Sequence, residues 1–224
     1  MLIELKGVEL QQDDKVVLHD VNFHVDQNDF IYIIGKVGSG KSSLLKSLYG
    51  ELEIEKGEAS ILDFNLRKLK VKQIPQLRRQ LGIVFQDFQL LHDKTVKQNL
   101  DFVLQATKWK KTSRRKRIEE VLQQVGLLDK LDKYPHELSG GEQQRICIAR
   151  SLLNNPKIIL ADEPIGNLDG ETSRAIMDIL CSVREQGTAV VMVTHNLHLL
   201  SEYPGIVYRC DNGQIKEVTG ETIV

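Results

Sequence analysis

The chain has 224 residues, with 30 basic and 31 acidic side chains and a formal net charge of −1. This length is enough to bury a substantial core in one domain, and the balanced charge favours neither nucleic acid nor an anionic membrane as a bulk electrostatic partner. Three widely separated cysteines, without a C-x-x-C pair, argue against a disulfide framework and a structural zinc site. The opening residues have no signal-peptide pattern, and no apolar run approaches the ~18 residues of a spanning helix. The sequence therefore predicts a protein that is neither secreted nor integral to a membrane.

The predicted elements begin with antiparallel strands and lead into a glycine-rich loop. Apolar and polar residues alternate over 2–25, around a polar turn at 11–14. A buried strand is predicted at 30–34 and a helix at 42–49. Between them, Gly35–Ser42 fits the phosphate-binding pattern G-x-x-x-x-G-K-[ST] at every fixed position. Because the flanking strand and helix are also present, a glycine-rich turn that matches by chance is the less favoured interpretation.

The residue types of this loop suit a triphosphate. Glycines let backbone N–H groups approach phosphate oxygens at close range. Lys41 is expected to reach the β- and γ-phosphates, and the Ser42 hydroxyl is expected to ligate Mg²⁺. Lys36 and Ser43 are expected to make further contacts. The predicted nucleotide-binding residues of this segment are Gly35, Lys36, Val37, Gly38, Ser39, Gly40, Lys41, Ser42 and Ser43.

The middle of the chain changes from strands to helices. The predicted elements are strands at 58–62 and 81–85, a mostly helical segment at 67–79, and helices at 96–104 and 113–125. Thr112 or Ser113 is expected to cap the last of these helices, and Gly126 is expected to end it.

Strands and helices alternate again near the C-terminus. The pattern predicts a strand at 157–161, a helix at 171–185, a strand at 188–194, and a short strand pair near 206–209 and 214–217. This alternation is typical of a parallel sheet that helices cover on both faces, with its ligand at the carboxyl ends of the strands.

Two further segments carry candidate chemistry. Asp162 and Glu163 end an apolar strand, where Asp162 is expected to hold the Mg²⁺ shell and Glu163 to polarise the water that attacks the γ-phosphate. A solvated acidic turn is the alternative, which the phosphate loop makes less favoured. A Ser-Gly-Gly turn at 139–141 directly precedes a helix predicted over 143–153, so its N-terminus suits an anion. In isolation, this turn is equally compatible with a simple helix cap.

The order of the motifs resembles the nucleotide-binding domain of ABC ATPases over essentially the whole chain. The matching features are the loop at 35–42, Gln86 after a strand, L-S-G-G-E at 138–142, a strand that ends in Asp162-Glu163, and His195 after a strand. The resemblance implies an α/β fold of the P-loop NTPase type, with a mainly parallel sheet core, an N-terminal antiparallel β subdomain and a helical subdomain. It places the RecA-like core at about 1–86 and 155–224 and the helical subdomain at about 87–154.

The resemblance also implies a role for each motif. Gln86 would touch Mg²⁺ and the attacking water, and His195 would contact the γ-phosphate. The predicted catalytic residues are thus Glu163, His195 and Gln86, and the predicted metal-binding residues are Ser42, Gln86 and Asp162. ATP and Mg²⁺ are the implied substrate and metal.

The resemblance further implies that the site is completed by a second copy. Ser139, Gly140 and Gly141 would bind the γ-phosphate that the other subunit's phosphate loop holds, and Asp169 would lie at the dimer interface. A homodimer in the ATP-bound state follows. One expected feature is missing: Gln12 stands at about the place where most relatives have an aromatic residue that stacks on adenine. Adenine binding is therefore expected to lack that contact.

Within the family, the run at 77–91 most resembles the cell-division group called FtsE, with lipoprotein-releasing and macrolide-exporting ATPases as near relatives. The ATPase of a lipoprotein-releasing or macrolide-type export system is the alternative function. The resemblance implies a cytoplasmic ATP-hydrolysing subunit at the inner face of the cell membrane. Its FtsX-like integral membrane partner would dock near Gln86–Leu91 and regulate cell-wall hydrolysis. Phe88, Leu90 and Leu91 are candidates to line the docking groove, with plain core packing as the alternative.

Two other functions are weighed against this one. Non-transport ABC proteins that act on nucleic acid typically have tandem domains or a long coiled-coil insertion, whereas this chain has a single motif set, so no nucleic-acid partner is expected. A nucleotide-dependent scaffold that hydrolyses little ATP is a third interpretation, given Gln12. The stretch Lys108–Arg117 has seven basic residues in ten. A solvated loop and helix turn with Trp109 as an anchor is favoured over a contact with lipid headgroups.

Overall fold

The computed structural model describes residues 1–218, which form two sheets and a set of helices. The predicted core extends to residue 224, so its last six residues lie outside the described part. The smaller sheet contains β1 (Ile3–Gln12), β2 (Lys15–Val25), β4 (Ile54–Ile61) and β5 (Phe64–Asn65), in the order β2-β1-β4-β5 with antiparallel neighbours. The antiparallel N-terminal part of the fold prediction is thus confirmed.

The larger sheet is mainly parallel, as predicted. Its strands are β3 (Phe30–Ile34), β6 (Leu81–Val84), β7 (Ile158–Asp162), β8 (Ala189–Val193), β9 (Ile206–Asp211) and β10 (Gln214–Val218). They lie in the order β10-β9-β3-β8-β7-β6, and only the β9–β10 pair is antiparallel. The helices are α1 (Lys41–Leu48), α2 (Ile74–Arg79), α3 (Val96–Ala106), α4 (Lys111–Gln124), α5 (Gly140–Leu152), α6 (Gly170–Glu185) and α7 (His198–Glu202).

Strand β3 lies between two hydrophobic clusters that are formed by residues 1–218. Phe30, Tyr32 and Ile34 pack into a cluster built with α3, α4, α5 and α6, whereas Ile31 and Ile33 pack into a cluster built with α1 and the smaller sheet. Successive side chains of a strand point to opposite faces, so this near-continuous apolar run is needed by a strand that is covered on both sides. Packing on both faces of β3 consequently fixes the position of Gly35, the residue that follows this strand.

Two helix starts differ from the sequence predictions by two residues or more. Helix α5 begins at Gly140 rather than after the glycines, because Ser139 already caps it. Helix α4 begins at Lys111, so Thr112 and Ser113 lie inside its first turn and neither caps it. Instead, the Ser113 hydroxyl donates to the carbonyl of Lys110 at 3.0 Å. The helical segment at 67–79 is divided into two single 3-10 turns followed by α2.

Two of the seven basic side chains in the stretch 108–117, those of Arg114 and Arg117, are engaged within the protein, and the other five are exposed. Arg114 pairs with Asp101 at 3.2 Å, and Arg117 donates to the carbonyls of Leu152 and Leu153 at 2.6 and 3.0 Å. The Trp109 indole donates to the side-chain oxygen of Asn154, just after α5, at 2.9 Å and packs on the core. These contacts match the interpretation of a solvated helix turn with an anchoring tryptophan. Among residues 1–218, no helix combines the length and the apolar composition that crossing a membrane requires.

Candidate nucleotide-binding site

The phosphate loop connects β3 to α1, and two of its glycines are required by close packing. Gly35 has φ 148° and Gly40 has φ 102°, a region that L side chains rarely adopt. A Cβ on Gly35 would overlap the backbone carbonyl of Cys210, and one on Gly40 would lie 2.9 Å from the Leu18 side chain. Because Gly40 caps α1 without a side-chain hydrogen bond, the first N–H groups of that helix are left for an anion.

Lys41 lies at the start of α1 and is almost fully buried, with 8% of its surface exposed. Its ammonium group donates to the carbonyls of Gly35 and Lys36 at 2.8 and 2.9 Å. No carboxylate forms a salt bridge with it among residues 1–218. Since a buried ammonium is stable only when its charge is compensated, this arrangement fits an anionic ligand at the loop.

The acidic side of the site begins with Asp162 at the end of β7. Burial raises the pKa of Asp162, and the nearby Ser42 hydroxyl and Lys41 ammonium partly oppose that shift. Its Oδ1 atom is buried without a hydrogen-bond partner in the described part of the chain, and so is the hydroxyl of Ser39 in the phosphate loop. These two orphaned oxygens are the groups that a bound metal ion and a phosphate would satisfy.

The donor set suits Mg²⁺ only if phosphate contributes to it. Residues 1–218 contain no cluster of three or more His, Cys, Asp or Glu side chains that could hold a metal ion. Mg²⁺ usually binds through one or two carboxylates together with substrate phosphates and water. Asp162 and Ser42 therefore fit a magnesium ion that arrives with a nucleotide.

Glu163 and His195 form a pair at the carboxyl edge of the sheet. The Nδ1 atom of His195 lies 2.9 Å from Oε2 of Glu163, and the His195 backbone N–H donates to the same oxygen at 3.4 Å. Glu163 has φ 46°, and its N–H donates to the carbonyl of Val193 at the end of β8. The sheet thus brings together residues 32 positions apart in the sequence, with the Glu163 carboxylate oriented by the imidazole.

Gln86 follows the strand next to β7. Val84 of β6 pairs with Ala161, so the loop after β6 leaves the sheet beside Asp162. The Gln86 side chain is exposed. In this loop, Leu90 is 5% exposed and belongs to the core, whereas Phe88 and Leu91 remain partly exposed. Of the two interpretations of these apolar residues, a docking groove and plain core packing, core packing therefore applies to Leu90.

Ser139, Gly140, Gly141 and Asp169 occupy helix N-termini rather than the phosphate loop. The Ser139 hydroxyl accepts from the backbone N–H of Glu142 at 3.2 Å, and a Glu142 carboxylate oxygen accepts from the N–H of Ser139 at 2.8 Å. Asp169 caps α6 by accepting from the N–H of Thr172 at 2.9 Å. Within residues 1–218, no hydrogen bond or salt bridge joins Ser139 or Asp169 to the phosphate loop.

Two contacts of the site had no clear signal in the sequence. The Ser43 hydroxyl donates to the Gln12 side-chain oxygen at 3.1 Å, which joins the end of β1 to α1. The Cys210 thiol donates to the carbonyl of Ser39 at 2.8 Å and supports the loop from β9. Both contacts join residues far apart in the chain, so no local pattern predicts them.

A cavity of about 340 Å³ lies beside the loop and is lined by Gly35, Lys36, His195, Leu197 and Arg209, among others. A larger cavity of about 710 Å³ lies between β2 and β10. The phosphate loop is the candidate nucleotide site, because the glycines and the buried lysine lie in this loop and the acidic pair lies at the same edge of the sheet, whereas the larger cavity has none of them.

Fold and geometry together define an ABC-type ATPase cassette, and comparison with known proteins agrees. The sequence profile of the ABC transporter family matches residues 18–166. The chain belongs to this family and is an ATP-binding ABC ATPase. The cell division ATP-binding protein FtsE of Streptococcus pneumoniae is 43% identical, over 96% of this chain and 94% of that protein. The methionine import ATP-binding protein MetN of Carboxydothermus hydrogenoformans is 36% identical, over 96% of this chain but 65% of that protein.

Solved structures give the same fold. The dimeric structure of the bacterial ABC transporter cassette MJ0796 superposes with a TM-score of 0.85 at 32% identity, over 98% of this chain and 100% of that chain. The dimeric post-hydrolysis state of MJ0796, bound to ADP and Pi, superposes with a TM-score of 0.84 at 31% identity, with the same coverage. The predicted family and fold are confirmed.

Proposed function

We propose that the chain is the ATP-hydrolysing subunit of an FtsE-like membrane complex, and that two copies of it enclose ATP. The observation that carries the hydrolytic part is the Glu163–His195 pair, 2.9 Å apart, beside a buried Asp162 oxygen that has no hydrogen-bond partner among residues 1–218. The Glu163 carboxylate is thereby oriented and remains accessible to solvent, while the Asp162 carboxylate is suited to a cation. This division of labour is what phosphoryl transfer to water requires.

Each residue of the site then has a defined task. Lys41 and the first N–H groups of α1 bind the phosphates, and Gln86 and Glu163 orient the attacking water. Glu163 accepts the proton of that water, while His195 holds the carboxylate and reaches the γ-phosphate. Mg²⁺, held by Ser42, Asp162 and Gln86, would neutralise phosphate charge when it is bound.

A second copy supplies the other wall of the site in this proposal. Ser139, Gly140 and Gly141 make no polar contact with the phosphate loop of their own chain, and the similar MJ0796 cassette has been solved as a dimer. We infer that Ser139–Gly141 of one copy and Lys41 of the other share one γ-phosphate, with Asp169 at the interface. Hydrolysis then weakens the dimer, because ADP lacks the shared group.

The hydrolytic assignment is tested by Glu163→Gln in the full chain. Removing a general base typically lowers turnover by about 10²- to 10⁴-fold, and we expect kcat to fall in that range while the protein still binds ATP. Glu185→Gln, at the exposed far end of α6, is the matched control and should keep full turnover. Undiminished phosphate release by Glu163→Gln would refute the assignment.

Dimer formation is tested with the same variant. Light scattering of Glu163→Gln should show a monomer with ADP and a dimer with ATP and magnesium. Asp169→Ala, combined with Glu163→Gln, should weaken the ATP dimer. A monomer at every ATP concentration would contradict the shared-site arrangement.

The membrane partner is the finer part of the proposal. We propose an integral protein of the FtsX type that docks near Gln86–Leu91 and regulates cell-wall hydrolysis, with the chain peripheral to the inner membrane face. The FtsE proteins of S. pneumoniae and M. tuberculosis, 43% and 42% identical over most of the chain, support this choice over an import system. Retention of membrane proteins from detergent extract on Glu163→Gln with ATP, but not with ADP, tests it. A methionine-import permease retained instead would refute the cell-division assignment.

A further inference from the structure

The loop after β6 contains two consecutive residues in the left-handed backbone region. Phe88 has φ 56° and Gln89 has φ 49°, and neither is a glycine. Residues with side chains adopt this conformation at a cost in free energy, and they keep it only where surrounding contacts fix it. Something in the structure must therefore hold the Phe88–Gln89 backbone.

Helix α5 supplies these contacts through two side chains that lie on one helical face. Arg150 donates through Nη1 to the carbonyl of Gln89 at 2.6 Å and through Nη2 to the carbonyl of Phe88 at 2.8 Å. The thiol of Cys147 donates to the same Phe88 carbonyl at 3.1 Å. Burial raises the pKa of Cys147 to about 11, so the thiol keeps the proton that it donates. Residues three apart in a helix are neighbours, which is why both reach one peptide segment.

The loop also touches the other end of α5. A Cβ placed on Gly140 would lie 4.0 Å from the ring of Phe88 and 3.8 Å from Leu168, so the Phe88 ring is next to the first turn of the helix. Ser139 caps that same turn. The Phe88 backbone is thus fixed near the C-terminal half of α5, while its ring lies at the N-terminus.

We propose that Arg150 is a positioning residue that fixes the left-handed backbone of Phe88 and Gln89 and thereby sets the place of Gln86. Arg150 also joins the loop to α5, the helix that Ser139 caps. The inference deepens the proposed function and rests on it for the role of Gln86. A guanidinium is suited to this task because its planar donors match two neighbouring carbonyls.

The test compares Arg150→Gln with Arg117→Gln. Arg117 also donates to two consecutive carbonyls, those of Leu152 and Leu153, but it does not contact the loop. Hydrogen–deuterium exchange of the ligand-free protein should be severalfold faster at residues 86–91 in Arg150→Gln and unchanged there in Arg117→Gln. We expect Arg150→Gln to lower kcat about tenfold or more, with KM for ATP within about twofold, because displaced catalytic groups slow the chemical step while the phosphate loop is untouched.

A second change separates positioning from a loss of overall stability. Glycine adopts positive φ without the cost that glutamine has, so Gln89→Gly should partly restore kcat in the Arg150→Gln background. Gln89→Gly in the wild-type background is measured alongside, so that the effect of the glycine itself is subtracted from the recovery. Recovery of kcat without recovery of the melting temperature would support positioning.

Two outcomes would overturn the proposal. One is equal exchange at 86–91 in the two arginine variants. The other is a loss of kcat in Arg150→Gln that the added Gln89→Gly change does not recover and that is proportional to the fall in melting temperature. The exchange comparison uses no ATP, so it decides the role of Arg150 even if Glu163→Gln turns out to hydrolyse ATP normally and the proposed function fails.

Discussion

Helices α1 and α5 both begin in glycine-containing segments, yet their N-termini are in opposite states. Gly40 caps α1 and offers no side chain, so the first N–H groups of that helix are open. Ser139 caps α5 in a reciprocal pair with Glu142, and Lys130 forms a salt bridge with Glu142 at 3.2 Å. The backbone N–H of Ser139 lowers the pKa of Glu142, so a negative charge already lies at this helix end.

The difference indicates that the N-termini of α1 and α5 bind an anion with different strength. The end of α1 has a buried lysine and free donors, so it can bind phosphate on its own. The end of α5 has its donors partly engaged and a carboxylate beside it, so it is a weak anion site by itself. In the proposed dimer, α5 therefore acts only on a phosphate that the α1 end of another copy already holds.

The largest effect is expected from Lys41→Ala. Hydrogen bonds to charged groups contribute about 1.5–3 kcal/mol, so affinity for magnesium ATP should fall roughly tenfold to a hundredfold or more. Isothermal titration calorimetry measures this loss. Lys46→Ala on the same helix, where the lysine is partly exposed and pairs with Glu51, is the control and should bind normally. Unchanged affinity in Lys41→Ala would remove the distinction between the two helix ends.

Ser139→Ala is expected to have the next largest effect. Thr95 caps α3 with the same reciprocal geometry, through Gln98, which makes Thr95→Ala a matched control. Both variants should lose about 1 kcal/mol of unfolding free energy in urea, the usual contribution of such a cap. Only Ser139→Ala should also reduce ATP-dependent dimerisation and turnover. If both variants hydrolyse ATP equally, Ser139 is a cap and no more.

A smaller effect is expected at the adenine end. Gln12→Tyr should restore the missing aromatic contact and lower KM for ATP about tenfold, since base stacking contributes roughly 1–3 kcal/mol. Gln11→Tyr is the control, because adjacent strand residues point to opposite faces and Gln11 donates to Glu9 instead. Steady-state kinetics with ATP and GTP measure both variants. If Gln12→Tyr and Gln11→Tyr change KM for ATP equally, adenine does not stack on the side chain at position 12.

The smallest effect concerns stability and pH. Burial raises the pKa of Asp162, so the folded state is penalised when this carboxylate is charged. Asp162→Asn should therefore raise the melting temperature at pH 7. The gain should shrink as the pH falls through the raised pKa and vanish below the unfolded value, where both side chains are neutral. Melting curves between pH 3 and 8 test the sign, and a gain that grows in acid would contradict it.

Sequence reasoning succeeded where the information is local. The fixed positions of Gly35–Ser42 and the strand before Asp162 are contiguous patterns, and both elements are present where predicted. The start of α5 was misplaced because glycines at 140 and 141 suggest a turn, whereas the Ser139–Glu142 capping box overrides their low helix propensity.

What the sequence did not predict depends on contacts between distant residues. Arg150 and Cys147 form hydrogen bonds with a loop about 60 positions earlier in the chain. Gln12 at the end of β1 accepts a hydrogen bond from Ser43 of α1. Nothing in their local pattern distinguishes them from ordinary helix or strand residues. The left-handed φ values of Phe88 and Gln89 were equally hidden, because neither residue type favours that conformation.

Gly141 has a consequence for mutational scanning of this protein. A methyl group there would overlap the Thr172 side chain in the first turn of α6. Loss of activity in an alanine scan at this position would therefore report a steric conflict between two helices, even if Gly141 never meets a phosphate. Intolerance to substitution and participation in chemistry are separate properties. In the segment 139–141, a residue that cannot be enlarged for steric reasons, Gly141, lies two positions from Ser139, for which a phosphate contact is proposed.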